Sequence, residues 1–194
     1  PVQETFKMAF DWMISIVALL ILSPVFFIIS CLIKRSSKGP IFYSQERIGQ
    51  YGKPFIIYKF RSMYIDAEDA GPQLSRMDDD RTTPIGQWIR KYRVDEIPQF
   101  LNVLKGDMSI VGPRPERKFY ADQIIQNNPE YKNIYKLKPG ITSWGMVRFG
   151  YASNVEEMTE RMQYDLMYVK NFSLLMDFRI IIYTIKTIIS GKGV

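Results

Sequence analysis

From Met8 to Ile33 the chain is apolar apart from Asp11, Ser15, Ser23, Pro24 and Ser30, and Trp12 to Ile33 carries no charge. Coiled as one straight helix, the uncharged part reaches roughly 33 Å, close to the ~30 Å hydrocarbon thickness of a bilayer. A membrane helix is therefore the first expectation. A secretory signal fits less well: the run is long, Glu4 accompanies Lys7 ahead of it, and no small-x-small cleavage pattern follows.

Pro24 sits in mid-run, where it withholds a backbone donor and its ring crowds the carbonyl of Leu20. The helix is expected to break at Ser23-Pro24, with the Ser23 hydroxyl taking up a freed carbonyl. Basic residues flank both ends, Lys7 on one side and Lys34, Arg35 and Lys38 on the other. The cytoplasmic preference of basic flanks then puts both ends on one face, as in a re-entrant helix that enters one leaflet, turns and returns. An ordinary kinked span satisfies the same residues equally well.

Residues 34–194 contain no second apolar run of spanning length, no repeat and no low-complexity linker. The organisation read from this is a membrane helix over 1–33 and one catalytic-sized domain over 34–194. Strand-like stretches at Ile41-Phe42-Tyr43 and Phe55-Ile56-Ile57-Tyr58, separated by Gly49 and Gly52, predict a hairpin. Thr83-Pro84, a cap followed by proline at the first helical position, opens a short helix through Arg90. Asp95 to Leu104 reads as another, with Asp95 near its cap, Pro98 in the first turn and Gly106 as its stop. Val155 to Lys170 and Asp177 to Ser190 read as longer helices. In the last of these, Ile181, Ile182, Ile185, Ile188 and Ile189 share an apolar side while Arg179, Lys186 and Lys192 stay polar. That side either packs into a core, the favoured reading, or lies on a membrane surface.

The composition narrows the chemistry. There is no histidine and one cysteine, Cys31. Ser-His-Asp and Cys-His catalysis, an imidazole base and His-bound zinc are excluded, as are an internal disulfide and a four-cysteine metal site. What remains is carboxylates, Lys, Arg, Tyr, Ser and Thr, with an oxygen-seeking metal such as magnesium. The formal charge is +6, and the segment from Lys34 to Arg61, with seven basic residues against Glu46 alone, carries a net charge of the same size. Lys34, Arg35 and Lys38 suit anchoring to anionic headgroups. Lys59 and Arg61 flank Phe60 at a strand end, where alternation points both to one face, a place to meet a phosphorylated ligand.

Asp95-Glu96 is a pair of adjacent carboxylates at an expected helix start. Capping and the helix dipole explain such a pair without catalysis. The same position holds phosphates, however, and two carboxylates can divide nucleophilic or magnesium-binding work from proton handling. Gly112-Pro113-Arg114-Pro115 is a rigid turn: a structural corner, or a guanidinium held ready for a phosphate. Asp78-Asp79-Asp80 lacks the spaced ligands of a calcium loop and reads as a solvated loop leading to Thr83.

Several segments, taken in order, resemble the bacterial sugar transferases, the monotopic polyprenyl-phosphate hexose-1-phosphate transferases. They are Lys7 to Asp11 with the Ser23-Pro24 break, Lys38-Gly39-Pro40-Ile41-Phe42 with Gln45, Arg47 and Gly49, Tyr58-Lys59-Phe60-Arg61-Ser62-Met63, and Asp95-Glu96-Ile97-Pro98-Gln99. The order continues through Asn102-Val103-Leu104-Lys105-Gly106-Asp107-Met108-Ser109, Val111-Gly112-Pro113-Arg114-Pro115 and Lys138-Pro139-Gly140-Ile141-Thr142. Beyond this the chain departs from the family pattern: Gly-Leu-Trp-Gln-Val-Ser-Gly-Arg is replaced by Ser143-Trp144-Gly145-Met146-Val147-Arg148-Phe149-Gly150, with Arg148 as the candidate for a displaced arginine.

The resemblance implies a membrane enzyme that moves a sugar-1-phosphate from a UDP-sugar to polyprenyl phosphate and releases UMP, starting a lipid-linked glycan of exopolysaccharide, capsule, O-antigen or glycoprotein. It implies Asp95 as nucleophile forming a phosphosugar intermediate, Glu96 assisting, and both carboxylates addressing Mg2+. Lys59, Arg61, Arg114 and Arg148 are the candidate phosphate-binding residues. The implied fold is α+β and mostly helical, with a re-entrant membrane helix, a small β-hairpin and amphipathic interfacial helices. The implied location is the cytoplasmic face of a bacterial inner membrane. Membrane lipid is an expected partner, a homodimer is compatible, and nucleic acid is not expected because the basic residues adjoin the membrane helix. The competing class is a non-catalytic membrane-anchored basic module that binds anionic lipid or a partner protein.

Overall fold

In the computed structural model the described residues are 2–69, 71–75 and 79–191. Helix α1 (Val2–Ser36) is followed by a hairpin of β1 (Phe42–Ile48) and β2 (Pro54–Phe60), then α2 (Pro84–Lys91) and α3 (Gln99–Lys105). Strand β3 (Ser109–Val111), α4 (Lys118–Asn127), β4 (Gly140–Thr142), α5 (Trp144–Arg148), α6 (Val155–Lys170) and α7 (Leu174–Ile189) complete the order. The fold is mostly helical α+β, as expected.

Helix α1 runs through Pro24 as one continuous helix, not as two pieces separated by a break. Proline leaves the carbonyl of Leu20 without its helical donor, and the Ser23 hydroxyl donates to that same carbonyl at 2.8 Å. Four residues further on, Ser30 Oγ donates to Phe26 O at 2.7 Å. The helix is long and apolar enough to cross a bilayer by length and composition. Most of its length is uncovered: Phe6, Trp12, Met13, Ile16, Leu20, Ile21, Phe27 and Ile28 are exposed.

Both ends of α1 nevertheless hold to the same globular body. Near its start, Lys7 Nζ donates to Asp177 Oδ2 of α7 at 2.6 Å, and Ser109 Oγ of β3 donates to Asp11 Oδ2 at 2.6 Å. Near its end, Ile29 and Ile33 are buried with Phe60, Ile89 and Ile97, with Leu22 and Phe26 packed against the same cluster. Two hydrophobic residues at 2% and 1% exposure fix the helix there, within an otherwise exposed element.

The hairpin is longer than its sequence signals, pairing Phe42 with Phe60 through to Ile48 with Pro54. A 3₁₀ turn at Gln50–Gly52, with Tyr51 in the left-handed region at φ 58°, closes it. Thr83 caps α2 as expected, its Oγ1 accepting from Gly86 N at 3.0 Å. The expected helix from Asp95 to Leu104 is divided. Val94–Glu96 forms a 3₁₀ turn and α3 starts only after Pro98, because Pro98 has no N–H to donate and its ring would strike the carbonyl of Val94. Gly106, at φ 87°, stops α3 as predicted.

The short parallel pair β3–β4 had no strand signal in the sequence; it depends on close backbone approach, since a Cβ on Gly112 would lie 2.2 Å from Lys138 O. Helix α6 matches its expected span, capped by Asn154. In α7 the expected apolar side is split: Ile180 is fully buried and Ile181 packs on the core, while Ile182, Ile185 and Ile189 are exposed. Core packing accounts for only part of that side. Lys192 and Asp78 lie outside the described residues. Asp80 is exposed, but Asp79 is buried, paired with Arg81 at 2.6 Å. The acidic run is therefore not a solvated loop throughout.

Candidate active site

Six pieces of the fold meet at one cavity of about 430 Å³. The end of β2 contributes Lys59, and the 3₁₀ turn contributes Asp95 and Glu96. Arg90 and Arg93 come from the end of α2 and the residue before the turn. The turn after β3 contributes Arg114 and Glu116, and α5 and α6 contribute Met146 and Arg161. Arg93 sits at φ 54°, a left-handed conformation that a bulky residue adopts at a cost of about 1 kcal/mol. The break imposed by Pro98 is what turns Asp95 and Glu96 inward, where both are buried.

Lys59 Nζ donates to Glu96 Oε1 at 2.8 Å and lies 3.7 Å from Asp95 Oδ2. Arg93 Nη1 stands 3.7 Å from Glu96 Oε2. Among the described residues, the Asp95 carboxylate accepts no hydrogen bond. These surroundings separate the two acids. Burial pushes Asp95 up, to about 6, against the pull of Lys59. Burial acts on Glu96 in the same sense but is outweighed by Lys59, Arg93 and Arg114, which hold it down at about 2.

A second knot of charge holds the arginine wall. Glu116 takes a hydrogen bond from Arg161 Nη2 at 2.7 Å and lies 3.5 Å from Arg47 and 3.9 Å from Arg114. Asp165 accepts from Arg114 N at 3.0 Å and from Gly145 N at 2.7 Å, fastening the Gly112–Pro115 turn to α5 and α6. Arg114 Nη1 and Arg93 Nη1 both point at the Met146 sulfur, at 3.0 and 3.7 Å. A thioether is a weak acceptor, so both guanidiniums keep donors for a stronger oxygen ligand.

The structure brings together Lys59, Asp95, Glu96 and Arg114. Arg61 also lines the cavity, but its guanidinium donates to Ser37 O at 3.0 Å, Ser37 Oγ at 2.9 Å and Lys38 O, closing the end of α1. Arg148 is elsewhere, exposed and stacked 5.1 Å from the Trp144 ring. The sequence reading missed Arg90, Arg93, Glu116, Arg161 and Asp165. Arg93 lies two residues before Asp95, and Glu116 two after Arg114, a proximity that could have drawn notice. Arg161 and Asp165 carry no local signal, since only the docking of α6 brings them in.

The chain matches the family described as Bacterial sugar transferase over residues 2–191. It is 41% identical over its whole length to the UDP-N-acetylgalactosamine-undecaprenyl-phosphate N-acetylgalactosaminephosphotransferase of Aeromonas hydrophila, covering 46% of that protein. It is 38% identical over 95% of its length to the UDP-glucose:undecaprenyl-phosphate glucose-1-phosphate transferase of Escherichia coli (strain K12), covering 40% of that protein. The chain thus spans less than half the length of these two relatives. An uncharacterised sugar transferase of Bacillus subtilis (strain 168), EpsL, is 34% identical over 97% of the chain and 89% of its own length. By its match along nearly the full sequence, the chain belongs to the bacterial sugar transferase family.

Proposed function

We propose that this chain is a phosphoglycosyl transferase that moves a sugar-1-phosphate from a UDP-sugar to undecaprenyl phosphate, the first step of a lipid-linked glycan. The observation that carries this reading is a carboxylate, Asp95, that accepts no hydrogen bond among the described residues and is set among Lys59, Arg90, Arg93 and Arg114 in one cavity. Its lone pairs are available and the cations around it neutralise phosphate charge.

In the first half of the reaction an Asp95 carboxylate oxygen attacks the phosphorus that bears the sugar. The bond to the bridging oxygen breaks and UMP leaves, so the sugar-phosphoryl group is carried on Asp95. In the second half a phosphate oxygen of the polyprenyl phosphate attacks the same phosphorus, forming the diphosphate and freeing Asp95. Lys59, Arg93 and Arg114 hold the phosphoryl oxygens in both halves. Glu96, kept ionised, fixes Lys59 and Arg93 beside the reacting group.

Magnesium suits the donor chemistry here. Among the described residues no cluster of three or more acidic or thiol side chains converges, but Asp95 and Glu96 present hard carboxylate oxygens, and magnesium takes one or two of these with substrate phosphates completing its shell. Bound there, it would neutralise charge on the diphosphate.

We also infer that α1 is embedded in one leaflet of the bacterial inner membrane, with the catalytic domain on the cytoplasmic face. A helix of 35 residues reaches roughly 52 Å, yet both of its ends are tied to one body. A span crossing the bilayer would carry one of them to the far side.

The test is release of UMP from a panel of UDP-sugars with and without undecaprenyl phosphate. One equivalent of UMP per chain without acceptor, turnover with it, and neither in Asp95→Asn are expected. Wild-type turnover in Asp95→Asn would remove Asp95 as the nucleophile.

A further inference from the structure

A second concavity shares no residue with the cavity of Asp95: a surface cleft of about 390 Å³ lined by Tyr51, Gly52, Ile125, Lys132, Tyr135 and Lys136. Three elements build it. The β1–β2 turn supplies Tyr51 and Gly52, α4 supplies Ile125, and the 3₁₀ segment Pro129–Lys136 supplies the rest. In that segment Tyr131 and Ile134 are buried with Ile124, which leaves Lys132, Tyr135 and Lys136 toward the surface. Asn128 Oδ1 caps the segment by accepting from Glu130 N at 3.2 Å, and Gln50 Nε2 donates to Lys136 O at 3.1 Å, tying the turn to it.

Tyr51 is the unusual member. It holds φ 58°, a left-handed conformation that costs a residue other than glycine about 1 kcal/mol. Yet its side chain is 74% exposed and makes no hydrogen bond or ring contact among the described residues. Nothing inside the fold repays the strain. Tyr135, on the same cleft, is half-buried with its ring edge-on to Tyr131 at 5.5 Å, and burial pushes its hydroxyl up to about 12, so the phenol stays neutral. Cations surround this apolar floor. Among the described residues none of Lys53, Lys132 and Lys136 pairs with a carboxylate. The turn and the 3₁₀ segment bring Glu130 as their one acid, and Asp122 of α4 is taken up by Lys118 at 2.7 Å.

We propose that this cleft docks an acidic segment of a partner protein, with one large apolar side chain seated between Tyr51 and Tyr135 and flanking carboxylates on Lys132 and Lys136. The inference stands independently of the transferase reading. Three observations select this occupant. The unpaired lysines complement an acidic segment and repel a basic one. An exposed tyrosine held in a strained turn is an aromatic contact with few torsions left to order on binding. The cleft is also remote from the contact between the hairpin and the apolar helix: Phe42 and Phe60 pack on Phe26 of α1, whereas the turn lies at the other end of the seven-residue β2, roughly 20 Å away. That position suits a soluble partner and not a lipid.

The experiment titrates the chain, in phosphatidylcholine nanodiscs, into the fluorescein-labelled peptide Asp-Glu-Asp-Leu-Phe-Asp-Glu-Asp and reads fluorescence anisotropy. Two control peptides replace Leu-Phe by Gly-Ser or every acid by lysine. Saturable binding of the first peptide is expected, weakened about tenfold by Tyr51→Gly and by Lys132→Gln with Lys136→Gln, and unchanged by Lys59→Met in the other cavity. Glycine suits φ 58°, so Tyr51→Gly is expected to melt no lower than wild type, and its lost binding is then not unfolding. Absence of saturable binding by the wild-type chain overturns the proposal, as does equal binding by the cleft variants or equal binding of the Gly-Ser peptide. Displacement of the peptide by inorganic phosphate at matched ionic strength would make the cleft a phosphate site instead. A wild-type dimer that Tyr51→Gly dissociates, read by sedimentation, would give the cleft to a second copy of the chain; either result overturns the acidic partner.

Discussion

Lys59 Nζ donates to Glu96 Oε1 at 2.8 Å but stands 3.7 Å from Asp95 Oδ2. One ammonium thus divides two neighbouring carboxylates into a hydrogen-bonded partner and one that, among the described residues, accepts no hydrogen bond. Because Lys59 is also the main influence lowering Asp95, Lys59→Met is expected to move the acidic limb of kcat/KM from about pH 6 to higher pH. A pH profile of both proteins checks this, and an unmoved limb would uncouple Asp95 from Lys59.

Asp95 is costly to the fold in its working state. Its value rises from 3.8 to about 6 on burial, so the folded chain holds that proton more tightly than the unfolded one. The associated stability is present in full below pH 3.8 and lost as pH rises through about 6, a swing of roughly 3 kcal/mol. Glu96, lowered from 4.5 to about 2, acts in the opposite sense, its stability present above pH 4.5 and lost as pH falls through about 2. Asp95→Asn, with no charge to bury, is expected to melt several degrees above wild type at pH 7.5 and level with it near pH 4. Melting curves at the two pH values decide the matter.

Glu116 faces three guanidiniums, those of Arg47, Arg114 and Arg161. Glu116→Gln leaves them with no shared counter-charge and is expected to cost about 2–4 kcal/mol of stability. Arg114 loses its anchor at the same time, so KM for the UDP-sugar should rise more than kcat falls. Thermal unfolding and steady-state kinetics measure the two effects independently.

The carboxylate pair and the nearby helix boundaries are legible because their signals are local. Thr83-Pro84 and Gly106 each specify a boundary through their own backbone chemistry, and Asp95-Glu96 stands out by adjacency. What was missed depends on distance in the chain. Arg61 and Lys59 alternate to one face of a strand, but α1 ends beside Arg61 and offers it the carbonyls of Ser37 and Lys38. Arg161 and Asp165 look like ordinary positions of an amphipathic helix until α6 docks. By sequence Pro98 fits the first turn of one helix, whereas in the fold it ends one turn and starts another.

The lock between α1 and α7 is a buried pair with a further partner. Lys7 bonds Asp177, whose other oxygen accepts from Tyr168 Oη at 2.6 Å. Lys7→Met leaves that carboxylate buried beside Tyr168 without its cation and is expected to destabilise by about 3 kcal/mol. Adding Asp177→Asn should recover part of the loss, and the double-mutant cycle reads the coupling.

Cysteines placed at residues 7 and 36, in a chain whose Cys31 is replaced by serine, are expected to react with a membrane-impermeant maleimide from the same side. Labelling from opposite sides would remove the one-leaflet geometry of α1.

Because α1 is fastened near both ends, it has no freedom to tilt on its own. A free membrane helix meets a thinner or thicker bilayer by changing its inclination, at a fraction of a kcal/mol per ångström. Here such a change must rotate the whole body, carrying Asp95 nearer to or further from the headgroups. On the proposed one-leaflet geometry and transferase activity, turnover is expected to vary with bilayer thickness and to peak at the acyl length that sets the cavity level with the acceptor's phosphate.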